Sequence, residues 1–261
     1  MPGADLDLLQ DAVREAGALA LDLRRRGIDK WNKGDGTPVT EADLAVDTLL
    51  KQRLTSARPD YGWLSEETAD NRKRLAHDRV WIVDPIDGTR SFMENGDEWC
   101  VSAALVENGS PLLAAVFSPT NGDLFLASRG EGATLNGQPI HVSAYDHIKN
   151  ARILAREAVF QPRRWTGFHW PPMRFDMRKS IALRLCLVAS AHFDASFAIG
   201  HTSDWDIAAA HLIVTEAGGV VTTLEGEVPT YNRESVRHPG VLASGPLLHG
   251  RIAEHLPSFS G

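Results

Sequence analysis

The apolar positions in the first 60 residues recur at helical spacing. Residues 6–26 carry this pattern most clearly. Leu9, Val13 and Ala16 fall on one face, three or four positions apart, which predicts an amphipathic helix. Gly27 follows and is suited to end the helix, because glycine readily adopts the left-handed conformation found there. The chain is therefore predicted to start with a long helix that buries one face.

A second helix is predicted to begin near Thr40. Apolar residues continue at helical spacing through Leu44, Leu50 and Leu54. Thr40 followed by Asp43 fits a capping box, in which each side chain bonds a backbone N–H group of the other residue. Capping is one interpretation of Asp43. The other is that its carboxylate also points toward a metal-binding loop.

Beyond residue 60 the apolar residues come in short runs bounded by turn residues, which predicts β-strands. The runs are residues 61–64, 80–83, 100–106, 112–117, 124–127, 151–160, 194–199, 220–224 and 240–243. Asn-Gly pairs such as Asn136-Gly137 separate central runs, which is typical of hairpins. The middle of the chain is therefore predicted to be an antiparallel meander. Further helices are predicted over residues 180–192, 206–217 and 247–256.

Two carboxylates lie close together in the chain at the end of one predicted strand. This strand is predicted to end at Asp84, because Pro85 cannot donate a further ladder hydrogen bond. Asp87 follows three residues later. Gly88 and Thr89 then supply a turn whose backbone N–H groups can face an anion. The segment predicts a site for a divalent metal and a phosphate.

Other acidic residues occupy comparable positions. Glu66 and Glu67 follow the strand predicted at residues 61–64, and they meet Asp84 at one edge if the two strands are neighbours. Alone, this pair is typical of solvated surface. Asp204 and Asp206 begin a predicted helix, which suggests that one caps the helix and the other binds. A cluster of oxygen ligands favours Mg²⁺, Mn²⁺ or Ca²⁺ over Zn²⁺.

The segment at residues 161–179 interleaves basic and aromatic side chains. They are Arg163, Arg164, Trp165, His169, Trp170, Arg174, Arg178 and Lys179. One interpretation is a loop that grips an anionic aromatic ligand through charge and stacking. The other is an irregular surface loop whose aromatic rings are tucked into the protein. The pattern does not choose between them.

Composition narrows the class of protein. The 261 residues are 43% hydrophobic and 23% charged, as in ordinary globular proteins, and the net charge of -7 argues against a nucleic-acid polymer as partner. Two cysteines, Cys100 and Cys186, make no disulfide framework, which favours a reducing cytoplasm. The N-terminus is acidic, unlike a signal peptide, and no apolar run approaches the ~18 residues needed to cross a membrane.

Four short segments together resemble one enzyme superfamily. They are Val39-Thr40-Glu41-Ala42-Asp43, Ser65-Glu66-Glu67, Asp84-Pro85-Ile86-Asp87-Gly88-Thr89, and Trp205-Asp206-Ile207-Ala208-Ala209 with Glu216-Ala217-Gly218-Gly219. In this order they resemble the lithium-sensitive, Mg²⁺-dependent phosphatases that include inositol monophosphatases and 3'(2'),5'-bisphosphate nucleotidases. The resemblance implies a layered α/β/α/β/α sandwich with mixed, largely antiparallel sheets. It also implies one domain over residues 1–261, built as two tightly packed halves of about 1–145 and 146–261.

The resemblance further implies a ligand set for two or three Mg²⁺ ions, with Mn²⁺ as an alternative and Li⁺ and Ca²⁺ as inhibitors. Glu66, Asp84 and the backbone carbonyl of Ile86 would hold one ion. Asp84, Asp87 and Asp206 would hold a second, and a third, weaker ion could use Glu66. Hydrolysis would then proceed by in-line displacement, with one ion activating water and the other stabilising the leaving oxygen.

Catalytic and phosphate-binding roles are implied for the same segments. Asp43 and Thr89 would orient and deprotonate the attacking water, with Glu66 contributing as a catalytic residue. The N–H groups of Gly88 and Thr89 would hold the phosphate. The partner is then a small phosphorylated substrate, and the protein is a monomer or, by analogy, a homodimer.

The substrate is suggested by departures from the inositol monophosphatase pattern. Ile199 stands seven positions before Asp206, where those enzymes carry an acidic residue that binds sugar hydroxyls, and Ser65 replaces a common glycine. This serine and the segment Gly200-His201-Thr202-Ser203-Asp204 before Trp205 look like the bacterial CysQ-type nucleotidases, which act on 3'-phosphoadenosine 5'-phosphate. The expected substrate contacts are Arg178, Lys179, Ser180, Arg184 and Thr202. Alternatives are inositol monophosphatase, histidinol-phosphate phosphatase, or a non-catalytic metal- or phosphate-binding protein on the same scaffold.

Overall fold

The computed structural model describes residues 2–34, 36–161, 164–165 and 168–256. Within these residues the chain forms six α-helices and sixteen β-strands. The helices are α1 (Pro2–Arg26), α2 (Glu41–Ala57), α3 (Thr89–Met93), α4 (Ile181–Ala189), α5 (Asp204–Glu216) and α6 (Pro246–Ala253). The strands are β1 (Lys30–Asn32), β2 (Pro38–Thr40), β3 (Gly62–Ser65), β4 (Arg79–Asp87), β5 (Cys100–Glu107), β6 (Ser110–Ser118), β7 (Asp123–Ser128), β8 (Gly132–Leu135), β9 (Gln138–Pro139), β10 (Arg152–Leu154), β11 (Arg174–Asp176), β12 (Ala195–Ala198), β13 (Thr202–Ser203), β14 (Val220–Thr222), β15 (Arg237–His238) and β16 (Val241–Ser244). None of these helices is long and apolar enough to cross a bilayer.

The first two helices form where the apolar periodicity predicts them. In α1, Leu9 and Val13 are fully buried, and the chain leaves the helix at Gly27, whose φ is 89°. Helix α2 begins with the predicted capping box between Thr40 and Asp43. Both helices pack on the same face of a β-sheet and bury their apolar stripes there.

That sheet has seven strands in the order β3-β4-β5-β6-β7-β8-β9. Strands β3 and β4 are parallel, and each later strand pairs antiparallel with its predecessor. Asn108, Asn136 and the glycines that follow them adopt positive φ angles at two of the turns, as tight hairpins require. The predicted meander is confirmed.

A second, mixed sheet has five strands in the order β11-β10-β12-β16-β14. Strand β10 is parallel to both β11 and β12, whereas β16 is antiparallel to β12 and β14. Two smaller pairs, β1 with β2 and β13 with β15, lie outside the two large sheets. The strands of these two pairs are too short for an alternation of apolar and polar residues to be recognised in the sequence.

Three apolar cores join the layers. Helices α1 and α2 cover one face of the seven-stranded sheet, α4 and α5 lie between the two sheets, and α6 covers the far face of the five-stranded sheet. Alternate residues of strand β4 face two different cores. Trp81 and Val83 face the core under α1 and α2, while Val80 and Ile82 face the core around α4 and α5. The layered α/β/α/β/α sandwich is therefore confirmed.

One local prediction is wrong. The single strand predicted over residues 151–160 ends at Leu154, and Glu157–Phe160 forms a 3-10 turn. An apolar run of this length does not distinguish a strand from a buried turn. Leu44, one of the apolar positions that predict α2, is 42% exposed, because Val46 and its neighbours on another stripe of the helix face the sheet.

The aromatic residues of the 161–179 segment pack into the third core. Trp165 is buried, and its indole N–H donates to the carbonyl of Val159 at 2.7 Å. Its ring lies 6.0 Å from Phe160 in a stacked arrangement and 4.8 Å from Trp170 in an edge arrangement. These rings follow the tucked-aromatic interpretation. Arg163 lies outside the described residues.

Candidate active site

The end of strand β4 carries two acidic residues on one side. The strand does not end at Asp84 as predicted but continues to Asp87. Asp84 pairs with Ser102 and Asp87 with Cys100, so β4 has one more residue than β5 between these pairs. Residues three apart in a regular strand point to opposite faces, and the extra residue of a bulge returns Asp87 to the side of Asp84. Pro85, which cannot donate to the ladder, lies in this bulge.

Strand β3 brings Glu66 to the same edge. Because β3 runs parallel to β4, the residues that follow both strands are neighbours, and the Glu66 N–H donates to the carbonyl of Val83 at 3.3 Å. The predicted meeting of these acidic strand ends is confirmed. The Lys33 ammonium lies 3.0 Å from one oxygen of Glu66 and 2.7 Å from one oxygen of Glu67.

Helix α5 supplies the last acidic residue through its first turn. One oxygen of Asp206 accepts a hydrogen bond from the Ser203 N–H at 2.6 Å, completing a capping box. Asp206 therefore caps helix α5, as expected for one of the two aspartates Asp204 and Asp206. Asp204 instead turns into the protein, where it accepts hydrogen bonds from His238 and from the backbone N–H of Asn232.

These carboxylates raise one another's pKa values. Burial raises the pKa of Asp84 well above its usual range, and the charges of Glu66 and Asp87 raise it further. Burial raises the pKa of Asp87 to about 6 against an opposing hydrogen bond from Ser180. Burial and then the charge of Asp87 raise the pKa of Asp206 to about 8. Buried like charges facing one another are characteristic of a site for a cation.

Asp43 and Thr89 meet beside the acidic cluster. The Thr89 hydroxyl lies 3.4 Å from one Asp43 oxygen and 3.1 Å from the carbonyl oxygen of Ile86. The other Asp43 oxygen accepts from the Thr40 hydroxyl at 2.6 Å, so the carboxylate serves the capping box and Thr89 together. Burial raises the pKa of Asp43, opposed by the bonds from Thr40. Gly88 has a φ of 96°, and a Cβ there would lie 2.5 Å from a backbone oxygen.

The donor set fits a hard divalent cation. Its side chains are carboxylates, and oxygen ligands suit Mg²⁺, Mn²⁺ or Ca²⁺ better than Zn²⁺. In the described residues no three acidic, His or Cys side chains surround one point in their present orientations, although Asp84, Asp87 and Asp206 lie near enough for the charge of one to raise the pKa of another. Repulsion between like charges favours orientations that keep the oxygens apart, and a bound cation would offset that repulsion.

A protein-family model covers almost the whole chain. The model of the inositol monophosphatase family matches residues 5–259, a range that contains all of the acidic residues described above. The chain belongs to the inositol monophosphatase family. Its sandwich fold is therefore that of a family member.

Relatives within the family carry different functional names. The histidinol-phosphatase of Chlorobaculum parvum is 35% identical over 221 residues, covering 82% of this chain and 84% of its own. The 3'(2'),5'-bisphosphate nucleotidase CysQ of Aggregatibacter actinomycetemcomitans is 31% identical, covering 92% and 93%. The inositol-1-monophosphatase of Caulobacter vibrioides is 33% identical, covering 95% and 99%. This chain is a phosphatase of the family, and identity alone does not select the substrate.

A solved structure agrees with the fold. The IMPase of Thermotoga maritima superimposes with a TM-score of 0.81 at 28% identity, and the match covers 97% of this chain and 96% of that one. The two sheets, the helices between them and the outer helices thus follow the arrangement of an inositol monophosphatase family member.

A cavity of about 400 Å³ opens beside Asp87 and Asp206. Its basic lining residues are Arg156, Lys179, Arg184 and His201. Arg184 is 5% exposed, and its Nε has no hydrogen-bond partner among the described residues. The hydroxyl of Thr202, which also lines the cavity, is likewise buried and unpartnered there. Burial lowers the pKa of Arg184 to about 10, opposed by Asp87 and reinforced by Arg156.

Two expected substrate contacts, Arg178 and Ser180, do not line this cavity. Arg178 forms ion pairs with Asp176 at 2.8 Å and Glu98 at 3.7 Å and lines a different cavity. Ser180 is fully buried, and its hydroxyl donates to Asp87 at 2.5 Å. Lys179, Arg184 and Thr202 do reach the cavity beside the acidic cluster. Adjacent positions in a loop cannot be separated by sequence, because the direction of each side chain depends on the packing of the whole loop.

Sequence reasoning missed three residues of the site. Asp47 on α2 accepts hydrogen bonds from the hydroxyls of Ser65 and Thr68, on either side of the acidic turn. It stands four residues after Asp43, a helical spacing that places both on one face, and this spacing could have revealed it. Lys33 lies in the turn between β1 and β2, and Arg156 directly precedes the 3-10 turn at Glu157–Phe160. No periodicity marks either residue.

Proposed function

We propose that this chain is a Mg²⁺-dependent phosphomonoesterase that removes the 3'-phosphate of 3'-phosphoadenosine 5'-phosphate. Glu66, Asp84, Asp87 and Asp206 would hold two ions, a third ion could share Glu66, and the carbonyl of Ile86 would complete the set. The substrate is a small nucleotide bisphosphate, and the two buried, free cysteines support a reducing, cytoplasmic location. The protein would be a monomer or a homodimer.

The observation that carries the substrate proposal is the position of Arg184. A buried guanidinium with an unpaired N–H group lacks compensation for its lost hydration. Arg184 points into the cavity beside Asp87 and Asp206 with Arg156 close enough to lower its pKa. An anionic ligand would pair with these two arginines while its other phosphate lies at the acidic cluster. A substrate with two phosphates meets both requirements.

The neighbouring Ile199 argues against a polyol ring in the same cavity. Ile199 lines the cavity and is 37% exposed. An apolar side chain cannot hydrogen-bond a ring hydroxyl, so an inositol ring would lose a polar contact at this wall. The same wall tolerates a flat nucleobase, which buries apolar surface.

The residues around the acidic cluster have distinct proposed tasks. When bound, Mg²⁺ supplies a Lewis acid that lowers the pKa of the attacking water and stabilises the leaving oxygen. Asp43 accepts a proton by way of the Thr89 hydroxyl, which lies within 3.4 Å. Thr40 holds the Asp43 carboxylate in place through its second oxygen. The N–H groups of Gly88 and Thr89 face the phosphate at the start of α3.

Phosphate release from a substrate panel tests the proposal. The panel contains 3'-phosphoadenosine 5'-phosphate, inositol 1-phosphate and histidinol phosphate, each measured with Mg²⁺ and repeated with added Li⁺ and Ca²⁺. We expect the bisphosphate to have the largest kcat/KM and both added ions to inhibit. A preference for either monophosphate rejects the nucleotidase assignment and leaves the family's phosphatase activity in place. No Mg²⁺-dependent release from any substrate supports the non-catalytic alternative.

Arg184→Met separates the second phosphate from the reacting one. Loss of a charged hydrogen bond costs about 1.5 to 3 kcal/mol, which corresponds to roughly 10- to 100-fold in kcat/KM. We expect this loss for the bisphosphate and a much smaller change for inositol 1-phosphate. Arg178→Met is the matched control, because Arg178 lines another cavity. Equal losses for both substrates would contradict the role of Arg184.

A further inference from the structure

A second group of buried polar residues lies behind the acidic cluster. Asp204 is 0% and His238 1% exposed. The His238 Nε2–H donates to one oxygen of Asp204 at 2.7 Å, and the backbone N–H of Asn232 donates to the other at 2.9 Å. Both oxygens of this carboxylate are thus occupied. Asp204 has no role in the proposed chemistry, although it stands two residues before Asp206.

The Asp204–His238 pair fastens the first turn of α5 to a neighbouring segment. Strand β13 immediately precedes the helix and pairs with β15, with Thr202 opposite His238. The Asp204 N–H donates to the carbonyl of Val236 at 2.8 Å. Side-chain and backbone bonds therefore hold the same turn, and Asp206 is the third residue of that turn. A shift of the turn would move the Asp206 carboxylate with it.

Arg74 connects this segment to the loop that carries Glu66. The Arg74 side chain is fully buried and donates to the Asn232 side chain at 2.8 Å and to the Arg233 carbonyl at 2.9 Å. It also donates to Asp70 at 2.9 Å, four residues after Glu66 in the loop that follows β3. A continuous path of hydrogen bonds, with the buried Arg74 at its centre and the exposed Asp70 at one end, thus runs from the loop of Glu66 to the start of α5.

We propose that Asp204 and His238 are positioning residues for Asp206, and that Arg74 extends this support to the loop of Glu66. The inference rests on the proposed function, because Asp206 and Glu66 act there as metal ligands. These two ligands come from segments far apart in the chain, and each carries charge that repels the other ligands. Hydrogen-bonded partners behind a ligand hold it in orientation, and their loss typically costs 10- to 100-fold in metal affinity.

Three substitutions test the proposal, and the affinity for Mg²⁺ is the deciding measurement. His238→Ala removes the donor to Asp204, His238→Asn keeps a side-chain N–H donor, and Asp204→Asn keeps the shape of the side chain without its charge. Isothermal titration calorimetry with Mg²⁺ alone measures affinity without turnover, and thermal melting measures stability. We expect His238→Ala to weaken Mg²⁺ binding by about 10-fold or more, with His238→Asn restoring part of the loss and Asp204→Asn falling between them.

Asp194→Asn is the matched control. Asp194 is a buried carboxylate of similar exposure and pairs with Arg152 at 2.8 Å, at the start of strands β10 and β12 and away from the acidic cluster. We expect it to lower the melting temperature with unchanged Mg²⁺ affinity. If His238→Ala behaves in the same way, the pair is only structural and the proposal is overturned.

Other outcomes are also decisive. If His238→Ala does not fold, His238→Asn and Asp204→Asn are judged by the same calorimetric readout, and unchanged Mg²⁺ affinity in both overturns the proposal. If the unmodified protein binds no Mg²⁺, the proposed function fails together with the inference. If the unmodified protein binds Mg²⁺ and the variants bind it with the same affinity, only the inference fails.

Discussion

Asp87 joins the end of β4 to the start of α4. One of its oxygens accepts from the Ser180 hydroxyl at 2.5 Å and from the Ala182 N–H at 2.7 Å. The positive end of a helix dipole favours a carboxylate at this place. Burial nevertheless raises its pKa to about 6, so stabilisation by the helix only partly offsets the loss of hydration. Because the Asp87 carboxylate is incompletely stabilised, a bound cation would lower its free energy.

Replacing Asp87 tests its proposed role as a metal ligand. Asp87→Asn preserves shape and removes the charge, so we expect turnover to fall by about 100-fold or more, the size typical for loss of one group that stabilises transition-state charge. The fold should persist, because one repelling charge disappears. Phosphate release and circular-dichroism melting measure the two effects. Asp123→Asn, at the half-buried first residue of β7, is the control, and retained hydrolysis in Asp87→Asn would refute the two-metal assignment.

At the level of elements, helix and strand identity followed the apolar pattern wherever a segment was long and amphipathic. Helices α1 and α2 and the strands of the meander are of this kind. The pattern failed at residues 151–160, because apolar residues there contribute to a core from a 3-10 turn. It also could not foresee the bulge at Pro85, since the pairing of β4 with β5 is a contact between separate strands. Local pattern identifies elements but not their irregularities.

Helix α4 couples stability to the site through its cap. Ser180 is the N-cap residue, accepting from the Leu183 N–H at 3.0 Å while its hydroxyl donates to Asp87. We expect Ser180→Ala to cost about 0.5 to 2 kcal/mol of stability. Because the Ser180 bond lowers the pKa of Asp87, its loss should raise that pKa and move the acidic limb of the pH–rate profile to higher pH.

Chemical denaturation and a pH–rate profile check this prediction. Ser190→Ala is the control, because Ser190 ends the same helix and its hydroxyl bonds only locally. A profile that stays in place for Ser180→Ala, despite lost stability, would show that the bond to Asp87 has no influence on catalysis.

At the scale of the whole molecule, the acidic cluster lies where the two sheets and the middle helices meet. Asp84 and Asp87 come from the seven-stranded sheet, and Asp206 comes from a helix packed between the sheets. Folding thus gathers buried charges that repel each other. Without a bound cation, this arrangement opposes folding in proportion to the ionised fraction of the cluster.

The stability of the protein should therefore depend on pH in a defined direction. Folding raises the pKa of Asp206 to about 8 and of Asp87 to about 6, above the usual value of about 4 for an unfolded aspartate. The folded state holds more protons between these values, so stability in EDTA should fall as pH rises from about 4 to about 8. Mg²⁺ should reverse the fall and stabilise most at the upper end.

Melting temperatures measured across this range, with EDTA or with Mg²⁺, test the prediction. A change of 1 kcal/mol corresponds to roughly 2 to 4 °C for a chain of this size. Asp206→Asn should flatten the slope in EDTA, because a buried carboxyl group whose pKa folding raises to about 8 is gone. A slope equal to that of the unmodified protein would show that other groups govern the pH dependence.

The sequence alone determined the family and most elements of this protein, whereas the tertiary structure decided which side chains share a cavity. Acidic strand ends, the capping box of Thr40 and the meander depend on local spacing, which is visible in the chain. Other features depend on contacts between distant segments. Arg184 and Arg156 line one cavity, and Arg178 lines another. Asp204 is buried against His238. Such contacts arise only when the layers pack, because each side chain's direction is then set by its neighbours.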